Sequence, residues 1–215
     1  MEFLVYILLF ATSITGLCFI IERAWMLRWQ KVVPPQVESA AESCKNRSDV
    51  PMLRSACEKA PSPLSRLLLV AVEHLDQPKA DNADAVQTQA RHEIVQLERG
   101  LVVLEIIVGI APLIGLVGTI AGMMSAFSEL GHTGLNDVAK LAGGIGLILK
   151  ATLFGLLIAI PALIAWSYFN KKVEVLGVEM ERLCEGFVRR QYRDVASHPA
   201  AVPPSVPPPT LPKKS

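Results

Sequence analysis

The chain has 215 residues, of which 51% are apolar and 19% charged, and its formal net charge is +1. A soluble domain carries about 25% charged residues, and a charge this near zero excludes the strong field that would hold nucleic acid or an acidic substrate. The missing charge is emptied from three stretches: Phe3–Ile21 and Ile106–Phe127 hold no charged residue, and Leu141–Phe169 holds only Lys150.

A helix crossing hydrocarbon roughly 30 Å thick needs about 20 apolar residues at 1.5 Å each, and each stretch reaches that length. The first belongs to a transmembrane helix over residues 1–23. A cleaved signal peptide would begin with basic residues and end at small ones. This chain begins Met-Glu and follows its apolar run with Ile21-Glu22-Arg23-Ala24-Trp25, which suits an uncleaved anchor.

Residues 24–100 form a helical region on the cytoplasmic side. Within it, Ser62 to Leu75 starts with a cap and an early proline, and then carries apolar residues at helical spacing. Pro78 to Asn82 breaks this helix. A second one from Ala83 places Val86, Ala90, Ile94, Leu97 and Leu101 on one stripe. Nothing between Arg99 and Ile106 would stop it, so it is expected to run straight into the second span, 101–127. A short periplasmic connection over 128–144 leads to the third span, 145–170. A cytoplasmic helix over 171–197 continues that span, and a disordered proline-rich tail occupies 198–215.

Orientation follows from lysine and arginine near the span ends. Arg23, Arg28 and Lys31 follow the first span, Arg91 and Arg99 precede the second, and Lys171 and Lys172 follow the third. The connection from Ser128 to Lys140 has one basic residue. The N-terminus is therefore expected to be periplasmic and the C-terminus cytoplasmic. Trp25, Trp29, Trp166 and Tyr168 then fall near the cytoplasmic interface, where amphipathic rings prefer to sit. Cys18, Cys44, Cys57 and Cys184 form no CxxC pair and lack zinc-type spacing to histidine, so they read as reduced structural thiols.

The second span places Gly115, Gly118 and Gly122 at three- and four-residue spacing, which lets membrane helices approach closely. Pro112 removes one backbone hydrogen bond and bends the helix. The third span contains Thr152, Gly155 and Pro161. Taking the apolar spans as roughly 106–127 and 145–167, Thr119 and Thr152 each lie about 4 to 6 Å outward of their span's midpoint, so the two hydroxyls can share one depth. A buried threonine can also bond its own helix backbone. Two at matching depth, with glycines nearby, point to a polar lumen. No aspartate, glutamate or histidine occupies the middle of a span, and a hydroxyl does not take up protons at ordinary pH. Any titrating group must come from another chain.

At these residues the sequence resembles the MotA/TolQ/ExbB family of proton-channel subunits, closest in size and layout to ExbB and TolQ. Ala111-Pro-Leu-Ile-Gly-Leu-Val-Gly-Thr119 and Ala151-Thr-Leu-Phe-Gly-Leu-Leu-Ile-Ala-Ile-Pro-Ala162 are similar to its second- and third-span motifs. Leu97-Glu-Arg-Gly-Leu101 and Ile21-Glu-Arg23 are also typical, and the resemblance covers roughly residues 3 to 190. It implies an all-α inner-membrane protein with three transmembrane helices, the second and third extended into the cytoplasm. It further implies a homopentamer around two helices of an ExbD/TolR-like partner, whose membrane aspartate titrates. A TonB- or TolA-like protein then carries the work to the outer membrane. Thr119 and Thr152 match the family's lumen-facing threonines.

Where ExbB and TolQ commonly carry a glutamate, five residues before the third-span threonine, this chain has Leu147. Lys150 instead lies about 200° around the helix from Thr152. Snorkelling to water accounts for it, with an intersubunit or partner ion pair as the alternative. Glu105 at the entry to span two is a surface carboxylate or part of a pore mouth. No catalytic residues, metal or cofactor are expected: there is no Ser/His/Asp set, metal spacing or phosphate loop. The alternatives are a passive membrane scaffold and a flagellar-type, MotA-like stator. The latter usually has four spans, against the three visible here.

Overall fold

The computed structural model describes residues 2–133 and 138–197, and no strand occurs among the described residues. Eight α-helices follow in order: α1 Glu2–Met26, α2 Trp29–Val32, α3 Pro35–Ser43, α4 Val50–Lys59, α5 Pro63–Glu73, α6 Lys79–Glu98, α7 Leu101–Thr133 and α8 Val138–Ser197. Three of them, α1, α7 and α8, are long and apolar enough to cross a membrane. The protein is all-α.

The three spans pack side by side with a readable register. A Cβ on Gly118 would meet Val5 of α1 and Ala151 of α8, and one on Gly16 would meet Ile107 of α7. α1 therefore runs antiparallel to α7 and parallel to α8. Tyr6 and Phe154 meet edge-on across α1 and α8, with ring centroids 6.5 Å apart. Much of the rest of each span is exposed apolar surface, including Phe3, Phe10, Leu113, Val117, Leu153 and Leu157. Such a surface needs lipid or other protein around it.

At the polar end of the spans the chain builds a water-side core. α8, 60 residues long and so roughly 90 Å at 1.5 Å per residue, continues unbroken into this region as its central post. Phe169, Val173, Leu176, Met180, Leu183 and Phe187 of α8 are buried at alternating three- and four-residue steps, the helical period. They pack with Val37 and Ala41 of α3, Leu53 and Cys57 of α4, and Leu64, Leu67, Leu68 and Ala71 of α5. The cap expected at Ser62 is present: its hydroxyl accepts from the Ser65 amide at 3.1 Å, and Pro63 occupies the first helical position.

Buried polar groups tie this domain together. Arg66 donates from Nε and Nη2 to the two carboxylate oxygens of Glu93 at 2.7 and 2.5 Å. Glu93 is only 1% exposed and also accepts from Gln89 at 2.8 Å. Asn82 donates to the Ala71 carbonyl at 2.9 Å. The Tyr192 hydroxyl donates to the carbonyls of His74 at 3.1 Å and Gln77 at 2.7 Å, clamping the end of α8 onto the α5–α6 turn.

Three features differ from the sequence expectation. The stretch expected to separate two helices up to Asn82 is shorter, because α6 already begins at Lys79, directly after Pro78. The α6 helix does not run straight into α7; it ends at Glu98, and α7 begins at Leu101. The Arg23 side chain is inserted at this break. Beyond the apolar spans, α7 continues to Thr133 and α8 starts at Val138, so helix fills much of the stretch assigned to a connection. That stretch contains no proline to end either helix. Residues 134–137 of the connection and the 198–215 tail lie outside the described residues.

Candidate functional site

The site is the crossing of α7 and α8, which small residues bring backbone to backbone. A Cβ on Gly155 would fall 2.6 Å from the Ala111 carbonyl oxygen, and one on Gly115 would fall 2.8 Å from that of Ala151. A Cβ on Gly122 would fall 2.6 Å from Cγ1 of the Ile148 side chain. At Gly115 and Gly155 the obstacle is backbone, so a side chain would force the helices apart, and close approach is how helices gain packing energy within lipid.

Both threonines sit at this crossing. The Thr152 hydroxyl lies 3.4 Å from the Gly115 carbonyl oxygen, a long hydrogen bond from α8 to α7. Thr119 donates to the Leu116 carbonyl of its own helix at 2.7 Å and is 9% exposed. In the register set by the pairs 115/152, 118/151 and 122/148, the two threonines lie about 1.5 to 6 Å apart along the helix axes. Each spends its proton inside the chain. Each oxygen keeps lone pairs that can accept from water or from a protonated acid.

Pro112 and Pro161 lie inside continuous helices. Lacking N–H groups, they leave the carbonyls of Val108 and Leu157 without their usual partners. Glu105 and Lys150 are both exposed, while Ala151, next to Lys150, is buried against α7. Neither charged side chain enters the crossing. Trp25, Trp29 and Tyr168 are exposed, and with Trp166 they gather at the end of the spans that adjoins the water-side core. The described residues contain no group of three or more His, Cys, Asp or Glu able to hold a metal.

Among the described cysteines, Cys44, Cys57 and Cys184 are buried outside the membrane-spanning segments. Burial pushes all three thiols up, that of Cys57 to about 11, so they are inert at neutral pH.

Sequence comparison decides the family. Residues 59–182, more than half of the chain, match the MotA/TolQ/ExbB proton channel family. The chain belongs to that family. It is 29% identical over 196 residues to the biopolymer transport protein ExbB of Neisseria meningitidis serogroup A, covering 83% of this chain and 86% of that one. The ExbB of Helicobacter pylori is 40% identical over 83 residues, covering 39% and 57%. That of Aquifex aeolicus is 29% identical over 116 residues, covering 54% and 78%. Its three apolar helices and these relatives make the chain a multi-pass membrane protein.

Within this MotA/TolQ/ExbB chain, sequence reasoning missed Arg23 and Gly100 as a contact. The guanidinium is buried against Gly100 and donates to the Leu97 carbonyl at 3.4 Å. Both segments are family-like in sequence, but no local pattern shows that they touch.

Proposed function

We propose that this chain is the pore-forming stator subunit of a proton-motive-force-driven motor in a bacterial inner membrane. Five copies place α7 and α8 around a central lumen, which holds the single helices of an ExbD/TolR-like partner. The partner's membrane aspartate carries the proton. A TonB/TolA-type protein receives the motion and uses it for biopolymer transport at, or maintenance of, the outer membrane. The N-terminus is periplasmic and the C-terminus cytoplasmic, in keeping with basic and aromatic residues at one end of the spans.

One observation carries this reading: two neutral hydroxyls lie near one level at the α7–α8 crossing of a channel-family chain with no acid in mid-span. A proton cannot cross hydrocarbon without a group that changes charge, and such groups are costly there. Thr119 and Thr152 have the right chemistry for a supporting role. Their oxygens accept from a protonated carboxylic acid or its water, and they remain neutral throughout. The spans also expose apolar side chains such as Leu116, Ile120, Leu156 and Ile160, as expected of helices that meet neighbouring subunits and lipid.

Thr119→Val and Thr152→Val keep the side-chain shape and remove the hydroxyl. Made singly and together in cells that depend on the motor, they should lower its work, the double variant most. Wild-type work from the double variant at normal protein levels would remove both residues from the mechanism. The rival reading is a passive scaffold, favoured by the Thr119 hydroxyl bonding its own helix. A scaffold's cellular task would continue in the presence of an uncoupler.

A further inference from the structure

The break between α6 and α7 is occupied. Arg23, at the polar end of α1, is 8% exposed, and a Cβ on Gly100 would overlap its Nε, Cζ and Nη2 atoms. The absence of a side chain at Gly100 is what admits the guanidinium. Once there, Nη1 donates to the Leu97 carbonyl at 3.4 Å and Nη2 to the Glu22 carboxylate at 3.3 Å, while Nε has no partner. A buried guanidinium held by two long bonds contributes little net stability, because the lost hydration outweighs them. Its location is more informative. One side chain joins the exit of span one, the top of the water-side helix α6 and the start of α7.

We propose that Arg23 is a positioning residue for the channel: seated against Gly100, it fixes the angle at which α7 leaves α6 and so the placement of the α7 wall. Arg99, between the two helices, keeps helical backbone angles, φ −49° and ψ −36°. The joint is therefore a shallow one that can open or straighten by small rotations. An Arg23 planted in it holds one setting. This rests on the proposed role of α7 as a lumen wall, but the geometric half of the claim is measurable without any proton flow.

The test combines two readouts on the full chain with its partner subunits. The first is a double-mutant comparison of Gly100→Ala, Arg23→Ala and the pair, scored by motor-dependent growth at equal membrane levels and equal native mass of the complex. Gly100→Ala expels the guanidinium and should lower activity about tenfold. Arg23→Ala should do likewise, and adding Gly100→Ala to it should change nothing further. Additive losses would show that Gly100 serves some other purpose and would overturn the pairing.

The second readout is a spin-label distance between Gln87→Cys on α6 and Met124→Cys on α7, in a Cys18→Ser background. Both chosen positions are exposed. In complexes diluted with unlabelled chains, so that one copy per ring carries both labels, the distance should be narrow in the parent and shifted or broadened in Arg23→Ala and in Gly100→Ala. A merely stabilising residue would leave the distance in the folded protein unchanged, and that result overturns the proposal. A changed distance with full activity would equally remove Arg23 from the channel's function. If Arg23→Ala fails to reach the membrane, Gly100→Ala carries both readouts, since it removes no buried group.

Discussion

Gly155→Ala tests whether backbone contact between α7 and α8 is what holds the membrane core. The added Cβ would lie 2.6 Å from the Ala111 carbonyl oxygen and 3.3 Å from the Gly115 Cα, and contacts under 3.0 Å are essentially never adopted. Both obstacles are backbone, so no rotamer change relieves them. The helices must part by about half an ångström or more, which forfeits roughly a quarter of the dispersion energy at the crossing. Overpacking of this kind costs about 1 to 3 kcal/mol, while alanine regains about 1 kcal/mol in helix propensity. A net loss of about 0 to 2 kcal/mol follows from those two opposing effects, or about 1 to 3 kcal/mol relative to an alanine that meets no clash. The 3.4 Å bond from Thr152 to the Gly115 carbonyl is already at its limit and would be lost as well. The assay is denaturant unfolding of the purified chain in one detergent, alongside Gly109→Ala. A Cβ added at Gly109 would meet nothing within 4 Å, so that variant gains propensity without a clash. If Gly155→Ala were as stable as Gly109→Ala, backbone contact would not be what glycine provides here.

Three further outcomes are expected in the same unfolding assay or beside it. Arg66→Ala strands the Glu93 carboxylate, which is 1% exposed, and should cost about 2 to 4 kcal/mol. Arg66→Leu combined with Glu93→Met should lose less, because no charge is then left buried. Cys57, with its thiol pushed up to about 11 by burial, should resist iodoacetamide at pH 8 in the folded protein and react on unfolding, as read by peptide mass. The unfolded thiol ionises near 9.0, so above that pH the folded state binds more protons and stability falls towards about 11. Cys57→Ala should flatten that part of the profile. Ser62→Ala removes the α5 cap and should cost about 1 kcal/mol.

The spans were legible in sequence because the cause is local: a charge-free run of sufficient length has few other uses. The α5 start was legible for the same reason, since Ser62 and Pro63 act within one turn. The helices α2, α3 and α4 fall in the region expected to be helical, but their individual bounds were not legible. They are short, and their buried residues, such as Val32, Val37, Ala41 and Leu53, are too few to set up a period. Packing holds them: α3 against α4, α5 and α8, and α4 against α3 and α5. The α6–α7 break was missed because its cause lies 74 positions away in sequence, where Arg23 reaches the Leu97 carbonyl. Gly100 alone lowers helix propensity by about 1 kcal/mol, too little to predict an interruption. At the crossing, composition supplied the glycines and threonines. Which carbonyl each hydroxyl would choose depends on helix register, and that emerges only when α7 and α8 are packed.

The two connections between membrane and water-side domain are mechanically different, and the difference bears on how a channel of this family could couple to movement. α8 passes through as one rod, buried at Phe169, Val173 and Leu176 where it enters the water-side core. Pro161 is the proline within α8, so it is the stretch after it, running into the water-side core, that turns as a unit. The α6–α7 connection is jointed at Gly100, so the same rotation need not be transmitted along it. A unit charge crossing 100 mV releases only about 2.3 kcal/mol, too little to unfold a packed domain but enough to shift a shallow joint between two settings. With no titrating side chain of its own in mid-span, the chain offers a continuous helix, α8, beside an interrupted connection, α6–α7. Thr119 stands on α7, which follows the interruption, and Thr152 on α8, which passes through without one.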